Sequence, residues 1–207
     1  MTVTVHTAVT ETQGRDGAYE ENRSTTETYW LEFGNQTLRK VVTGEEEYEG
    51  YYNASIDDMI YQSHDDEDHK FGIEAPRRNV SAYANPRIGE DDTAFSFIEV
   101  MNFTYAGLQT GYVRYTATNI TVPAKSNLRL REIPSEDYTN ITASLVVDEQ
   151  GRLREFTLKA DIYRHNRTLD QPQYVATHTI RITASGYGTT VAQKSEWVET
   201  VRTKHED

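Results

Sequence analysis

ITASLVVDEQGRLREFTLKADIY, residues 141–163, decides the fold. Its first arm sets Ile141, Ala143, Leu145 and Val147 at every second position, and its second arm does the same with Phe156, Leu158, Ala160 and Ile162. A period of two is that of a strand with one buried face, and DEQG between the arms is a turn, so the stretch reads as a β-hairpin. C-terminal to it, QYVATHTIRITA (173–184) repeats the alternation, with Tyr174, Ala176, His178, Ile180 and Ile182 inward. GTTVAQKSEWVETV (188–201) is expected to finish the sheet as a strand that buries Trp197. Before the hairpin, GYVRYTATNITV (111–122) has strand character, and SNLRLREI (126–133) is a candidate short helix.

The N-terminal half tells the same story. Residues 2–12 alternate around Val3, Val5 and Val9, and STTETYWLEF (24–33), QTLRKVVTG (36–44), EEEYEGYYNAS (45–55) and IDDMIYQS (56–63) are β-prone segments parted by turn residues. They predict an antiparallel meander. Residues 63–92, polar and holding Pro76 and Pro86, are expected to be a long surface connection. From Asp91 to Leu108 the apolar positions Ala94, Phe97, Ile98, Met101, Tyr105 and Leu108 fall at helical spacing behind Asp91 and Asp92, which predicts a helix over 91–108. No fixed-period repeat is present. A chain of 207 residues is expected to form one domain, 1–207, with a substantial core.

Charge narrows the function. With 33 acidic against 21 basic residues the net charge is -12, a field that repels nucleic-acid backbones, so no nucleic-acid partner is expected. The cations are 15 Arg and only 6 Lys. Scarce lysine among abundant carboxylates points to molar salt, where the Debye length is about 3 Å and an acidic surface no longer repels itself. No cysteine exists to form a disulfide, a thiolate metal site or a nucleophile.

Eight of the ten asparagines open an N-x-S/T triplet: Asn22, Asn35, Asn53, Asn79, Asn102, Asn119, Asn140 and Asn166. With 27 Thr and 10 Ser in the chain, chance predicts about two such acceptors. Their excess predicts an exported, glycosylated protein, since oligosaccharide transfer takes place outside the cytoplasm. No stretch approaches the length of a membrane span, and an export leader is expected upstream of the strand that follows Met1.

Catalytic chemistry finds no anchor. G-x-S-x-G, S-x-x-K with its partners, Walker loops and dinucleotide loops are all missing, and with 33 carboxylates any acidic pair is unspecific. His64, Asp65, Asp66, Glu67, Asp68 and His69 crowd together, yet contiguous charge without convergent spacing reads as a solvated acidic loop. Neither enzymatic activity, a metal nor a cofactor is expected. The 14 tyrosines, several within EYEGYYNASIDDMIYQ, read as strand residues with one wet end.

The order of these features, EEEYEGYYNAS in a meander, a helical middle, GYVRYTATNITV, ASLVVDEQGRLREFTLKADIY and a closing TTVAQKSEWV, resembles secreted haloarchaeal lipoproteins of unassigned function. Their fold is similar to the bacterial lipoprotein and glycolipid carriers of the LolA, LppX and LprG type. Relatives often carry Pro before the Trp, where this chain has Glu196. The resemblance implies a mainly β, α+β fold: a curved antiparallel half-barrel with one or more helices across its concave face. It also implies an upstream lipid-anchored Cys that would hold the protein on the outer face of the cytoplasmic membrane. The expectation is a non-catalytic carrier of a lipid or other hydrophobic ligand, in a cavity lined by Phe97, Ile98, Met101, Tyr105, Phe156, Leu158, Ile162 and Ile180. The alternative is a surface interaction glycoprotein with a filled core, an adhesin, envelope factor or virus receptor, whose partner is an envelope or viral surface protein.

Overall fold

The computed structural model describes residues 1–13, 19–44, 47–55, 59–65, 68–74, 87–88, 92–93, 100–119, 138–166 and 171–206, with Val80 and Ile98 between them. The strands are β1 (Thr2–Gln13), β2 (Tyr19–Glu32), β3 (Thr37–Thr43), β4 (Glu47–Asn53), β5 (Met59–Asp65), β6 (Asp68–Glu74), β7 (Arg87–Ile88), β8 (Asp92–Thr93), β9 (Thr104–Gln109), β10 (Tyr112–Ala117), β11 (Tyr138–Asp148), β12 (Leu153–Asn166) and β13 (Gln171–Ser185). A C-terminal helix spans Trp197–Glu206. The protein is therefore mainly β. Backbone pairing joins eleven strands in the order β6-β5-β4-β3-β2-β1-β13-β12-β11-β10-β9, an antiparallel sheet that stays open, while β7 and β8 pair by themselves.

Two compact units divide the chain. The first comprises Met1–Val5, Thr25–Pro86 and Ala184–Asp207. Within it, register aligns Leu31 with Leu38, Leu38 with Tyr52 and Tyr52 with Met59, a row in which every side chain is buried. The opposite face aligns Tyr51, Ile60 and Ile73, and here the C-terminal helix packs: Val198 and Val201 join Tyr51 and Ile60 in one cluster edged by Ile73 and Trp197.

The second unit comprises His6–Ser24 and Arg87–Thr183. Its hairpin β11–β12 closes at Asp148–Arg152, where the Asp148 N–H donates to the Arg152 carbonyl at 3.0 Å and the Gly151 N–H donates to the Asp148 carbonyl at 2.9 Å. Hairpin β9–β10 closes over Thr110 and Gly111, both at positive φ (24° and 81°), the twist that a two-residue hairpin loop requires.

Three expectations need correction. Residues 91–108 are not one helix: Asp92–Thr93 and Thr104–Gln109 are strands, with helical geometry at Ile98 and Val100. The Thr110–Gly111 turn pairs the end of this segment with β10, and cross-strand pairing outweighs the helical spacing. The acidic run is not part of a long connection: β5 and β6 pair up to Asp65 and Asp68, because Phe71 and Ile73 supply strand positions opposite Gln62 and Ile60. Residues 197–206 are helix rather than a final strand, since Val198 and Val201 bury one helical stripe. The candidate helix at 126–133 lies outside the described residues.

Candidate functional site

The second unit builds a continuous apolar face. Side chains directly opposite each other in an antiparallel pair share a face, so register traces rows across the strands. One row runs Ile182, Phe156, Leu145, Tyr115, Tyr105; a second runs Ile180, Leu158, Ala143, Ala117; Val147, Val113 and Leu108 form a third. The other face carries Tyr112, Arg114 and Thr116 on β10, opposite Asp148, Val146 and Ser144.

Burial falls along the rows. Ile182 and Phe156 are fully covered, Leu145 and Tyr115 are half-buried, and Tyr105 at the end of the row is 61% exposed. The third row behaves alike, from half-buried Val147 and Val113 to Leu108 at 70%. An apolar face thus continues past the part that the protein covers and ends as an open ledge of Tyr105, Leu108, Val113, Tyr115, Leu145 and Val147. None of the six is charged, and the Tyr105 ring meets the Tyr115 ring edge-on at 6.2 Å.

A bulge makes the ledge. Tyr105 pairs with Tyr115 and Gly107 with Arg114, leaving Ala106 as the extra residue. In an unbroken strand, residues 105 and 108 would point to opposite faces; the bulge puts both on one. Gly107 has φ 145°, a backbone state that favours glycine, and a Cβ there would meet open space, so conformation rather than room selects it.

The residues expected to line a cavity divide as follows. Phe156, Leu158 and Ile180 lie on the apolar face and are buried to 2% exposure or less; Tyr105 lies on the same face, uncovered. Met101 is buried beside Val100, and Ile98 is half-buried. Ile162 pairs with Tyr138 and Ala176, its side chain lying outside the described ones, as does all of Phe97. The structure therefore joins Tyr105 to Phe156, Leu158 and Ile180 through one sheet face. Val113, Tyr115, Leu145 and Val147 were missing from the expected lining, although the alternation of YVRYTA and ASLVV carried the signal.

On the opposite face of these strands two carboxylates, Asp148 and Asp161, are held by hydrogen bonds. Covering Asp148 raises its pKa, but the backbone N–H of Arg152, the Arg152 side chain and the Gln150 N–H outweigh that and hold it at about 2. The Arg152 Nε donates at 2.7 Å, and Arg154 also donates, from Nε at 3.1 Å. Hydrogen bonds from Asn140 and Thr177, at 2.6 and 2.7 Å, hold Asp161 below the ordinary carboxylate value.

In the first unit Glu49 gathers the polar contacts of the helix region. It accepts from Arg39 Nε at 2.9 Å, Gln62 Nε2 at 3.1 Å, Trp197 Nε1 at 2.9 Å and the Ser195 hydroxyl. Burial pushes its carboxyl up, and the bonds from Ser195, Trp197 and Arg39 outweigh it and lower the pKa. With Arg39 stacked 4.9 Å over Trp30, this is a clamp for residues 195–197. Among the described residues no group of three or more His, Asp or Glu could hold a metal; the side chains of 65–69 lie outside that description.

Among the expected glycan acceptors, Asn22, Asn35, Asn102, Asn119 and Asn140 are exposed and Asn53 is half-buried. Asn79 and the side chain of Asn166 lie outside the described residues.

No family model and no curated protein matches the chain. Among solved structures it is similar to a DUF1329 family protein from Desulfovibrio piger, at 10% identity over 94% of this chain and 88% of that one, with a TM-score of 0.26. A likeness this distant transfers neither ligand nor activity.

Proposed function

We propose that the chain is a non-catalytic binding protein of the outer cell surface that holds a lipid or other hydrophobic ligand on the β9–β11 ledge. The observation that carries this reading is the apolar face that runs from fully buried Phe156 and Ile182 to Tyr105 and Leu108, both more than half exposed. In a chain of net charge -12 this strip carries no charged side chain, and an apolar ligand covering it gains roughly 25 cal/mol per Å² removed from water. The buried members, Phe156, Leu158 and Ile180, form the packed continuation of the site. The half-buried Tyr115 and Leu145 lie between, where a long apolar chain would wedge.

Export, lipid anchoring and a high-salt habitat are part of the same proposal. They rest on the eight sequons, the Arg-over-Lys bias and the resemblance to carrier lipoproteins. The absence of any nucleophile or cofactor motif supports a non-catalytic role. To test the proposal, the protein is purified from the cells that make it and studied by native mass spectrometry and solvent extraction. A lipid-sized adduct that solvent removes is expected; protein that is always bare and takes up no added fatty acid would sink the reading.

A second reading, the surface interaction glycoprotein, is favoured by the edge position of β9, whose outer backbone groups pair with no described strand. An envelope or viral surface protein could add a strand there. Cross-linking on intact cells tests it: a protein partner joined to β9 in the wild type and lost when Ala106 becomes Pro supports it, whereas unchanged cross-linking excludes it.

A further inference from the structure

The outer edge of β9, which pairs with no described strand, and the sequons meet at one residue. β9 (TYAGLQ) holds no charged side chain, whereas the strand at the other end of the sheet order, β6 (DHKFGIE), carries Asp68, His69, Lys70 and Glu74. Charges on an edge strand deter pairing with a second chain; β9 has none, and its exposed Tyr105 and Leu108 add an apolar reason to pair. The triplet Asn102-Phe103-Thr104 runs directly into this strand, with Asn102 and Thr104 both exposed.

Five sequons lie wholly within the described residues, and their amide nitrogens differ. Asn140 donates Nδ2 to Asp161 at 2.6 Å from a backbone at φ 50°. Asn53 donates Nδ2 to Thr37 at 3.1 Å, while its Oδ1 accepts from the Ser55 N–H at 2.9 Å and the Ser55 hydroxyl at 2.6 Å. Asn35 donates Nδ2 to Glu32, and the hydroxyl of its triplet, on Thr37, is buried. The Oδ1 of Asn22 accepts from Thr10 at 2.7 Å, and among the described residues its Nδ2 has no partner. Among the described residues no side-chain hydrogen bond engages either amide atom of Asn102.

We infer that Asn102 carries an N-linked oligosaccharide that guards the β9 edge against a second copy of the chain. In the transfer, Nδ2 of Asn102 attacks the anomeric carbon of a lipid-phosphate-linked oligosaccharide. The C–O bond to phosphate breaks, its electron pair leaves with the phosphate, and Nδ2 gives up one proton. The glycan then stands two residues before β9, beside the backbone groups that an incoming strand would need. Leu108 lies six residues further along, roughly 20 Å at strand rise, so the far end of the ledge stays open to a ligand. The inference shares β9 with the ligand reading but needs no ligand, and its readouts fail separately from lipid binding.

The test combines site occupancy with mass in solution. Glycopeptide mass spectrometry on protein from the cells that make it is expected to find sugar on Asn102 and Asn22 and none on Asn53 or Asn140. Asn102→Gln and Thr104→Ala each remove the triplet by a different atom, and light scattering after gel filtration should show both shifted from monomer to dimer or larger. A bare Asn102, or two variants that remain monomeric at the wild-type concentration, would overturn it.

Discussion

Truncating Leu108 to alanine separates the ledge from the rest of the surface. Leu108 is 70% exposed, so the side chain contributes little to folding, and the variant should lie within about 0.5 kcal/mol of wild-type stability. Full burial of a leucine is worth about 1.5–3 kcal/mol, so a ligand that covers the exposed share gains about 1–2 kcal/mol from it. Losing that contact weakens binding roughly 5- to 30-fold. The assay is a titration with a fluorescent fatty acid at molar salt, beside Tyr112→Ala as control. Tyr112 belongs to the same hairpin and is 43% exposed, but it faces the other side with Arg114 and Thr116. Equal weakening by both variants, or no saturable binding to wild type, refutes the assignment.

The remaining predictions concern what holds each unit. Glu49→Gln turns an acceptor oxygen into a donor facing donors; with charged hydrogen bonds worth about 1.5–3 kcal/mol each and some solvent at the site, the loss is about 2–3 kcal/mol, read as a lower melting temperature. Because the folded carboxyl of Glu49 titrates below its ordinary 4.5, its stabilisation is present above that value and fades as pH falls through the folded pKa. Acid melts should show Glu49→Gln losing less stability than wild type on acidification. Asp148 behaves in the same sense: its contribution is complete above 3.8 and lost as pH falls toward about 2, so Asp148→Asn should flatten the melting profile across that window. Ile60→Ala empties the centre of the cluster with Val198 and Val201 and should cost about 2–5 kcal/mol in denaturant unfolding, with early loss of helical signal.

The β11–β12 hairpin was legible because Phe156 and Leu158 alternate without interruption on one side of DEQG and Ala143 and Leu145 on the other. Tyr105 and Leu108 misled for a physical reason: a three-residue spacing is what a helix shows, and it is also what a bulged strand shows when the extra residue turns both side chains to one face. The T-G pair at 110–111 was the local signal for the strand, but it competed with a helical pattern many residues long. At the C-terminus, Val198 and Val201 span too short a stripe to outweigh the strand-like TTV before them. Alternation put Val113 with Tyr115 and Leu145 with Val147 on one face of their own strands, but the ledge they form together could not be read locally. Tyr105 shares a row with Leu145 and Phe156 through two intervening pairings, and register across such separations is a property of the assembled sheet.

Photo-labelling locates a bound apolar chain on the protein. A diazirine fatty acid is bound at molar salt, irradiated, and the labelled peptides are sequenced. Label is expected on Tyr105, Leu108, Val113, Tyr115, Leu145 and Val147, competed away by unlabelled fatty acid. Label confined to the first unit, or scattered over the surface and indifferent to competitor, would contradict the ledge assignment.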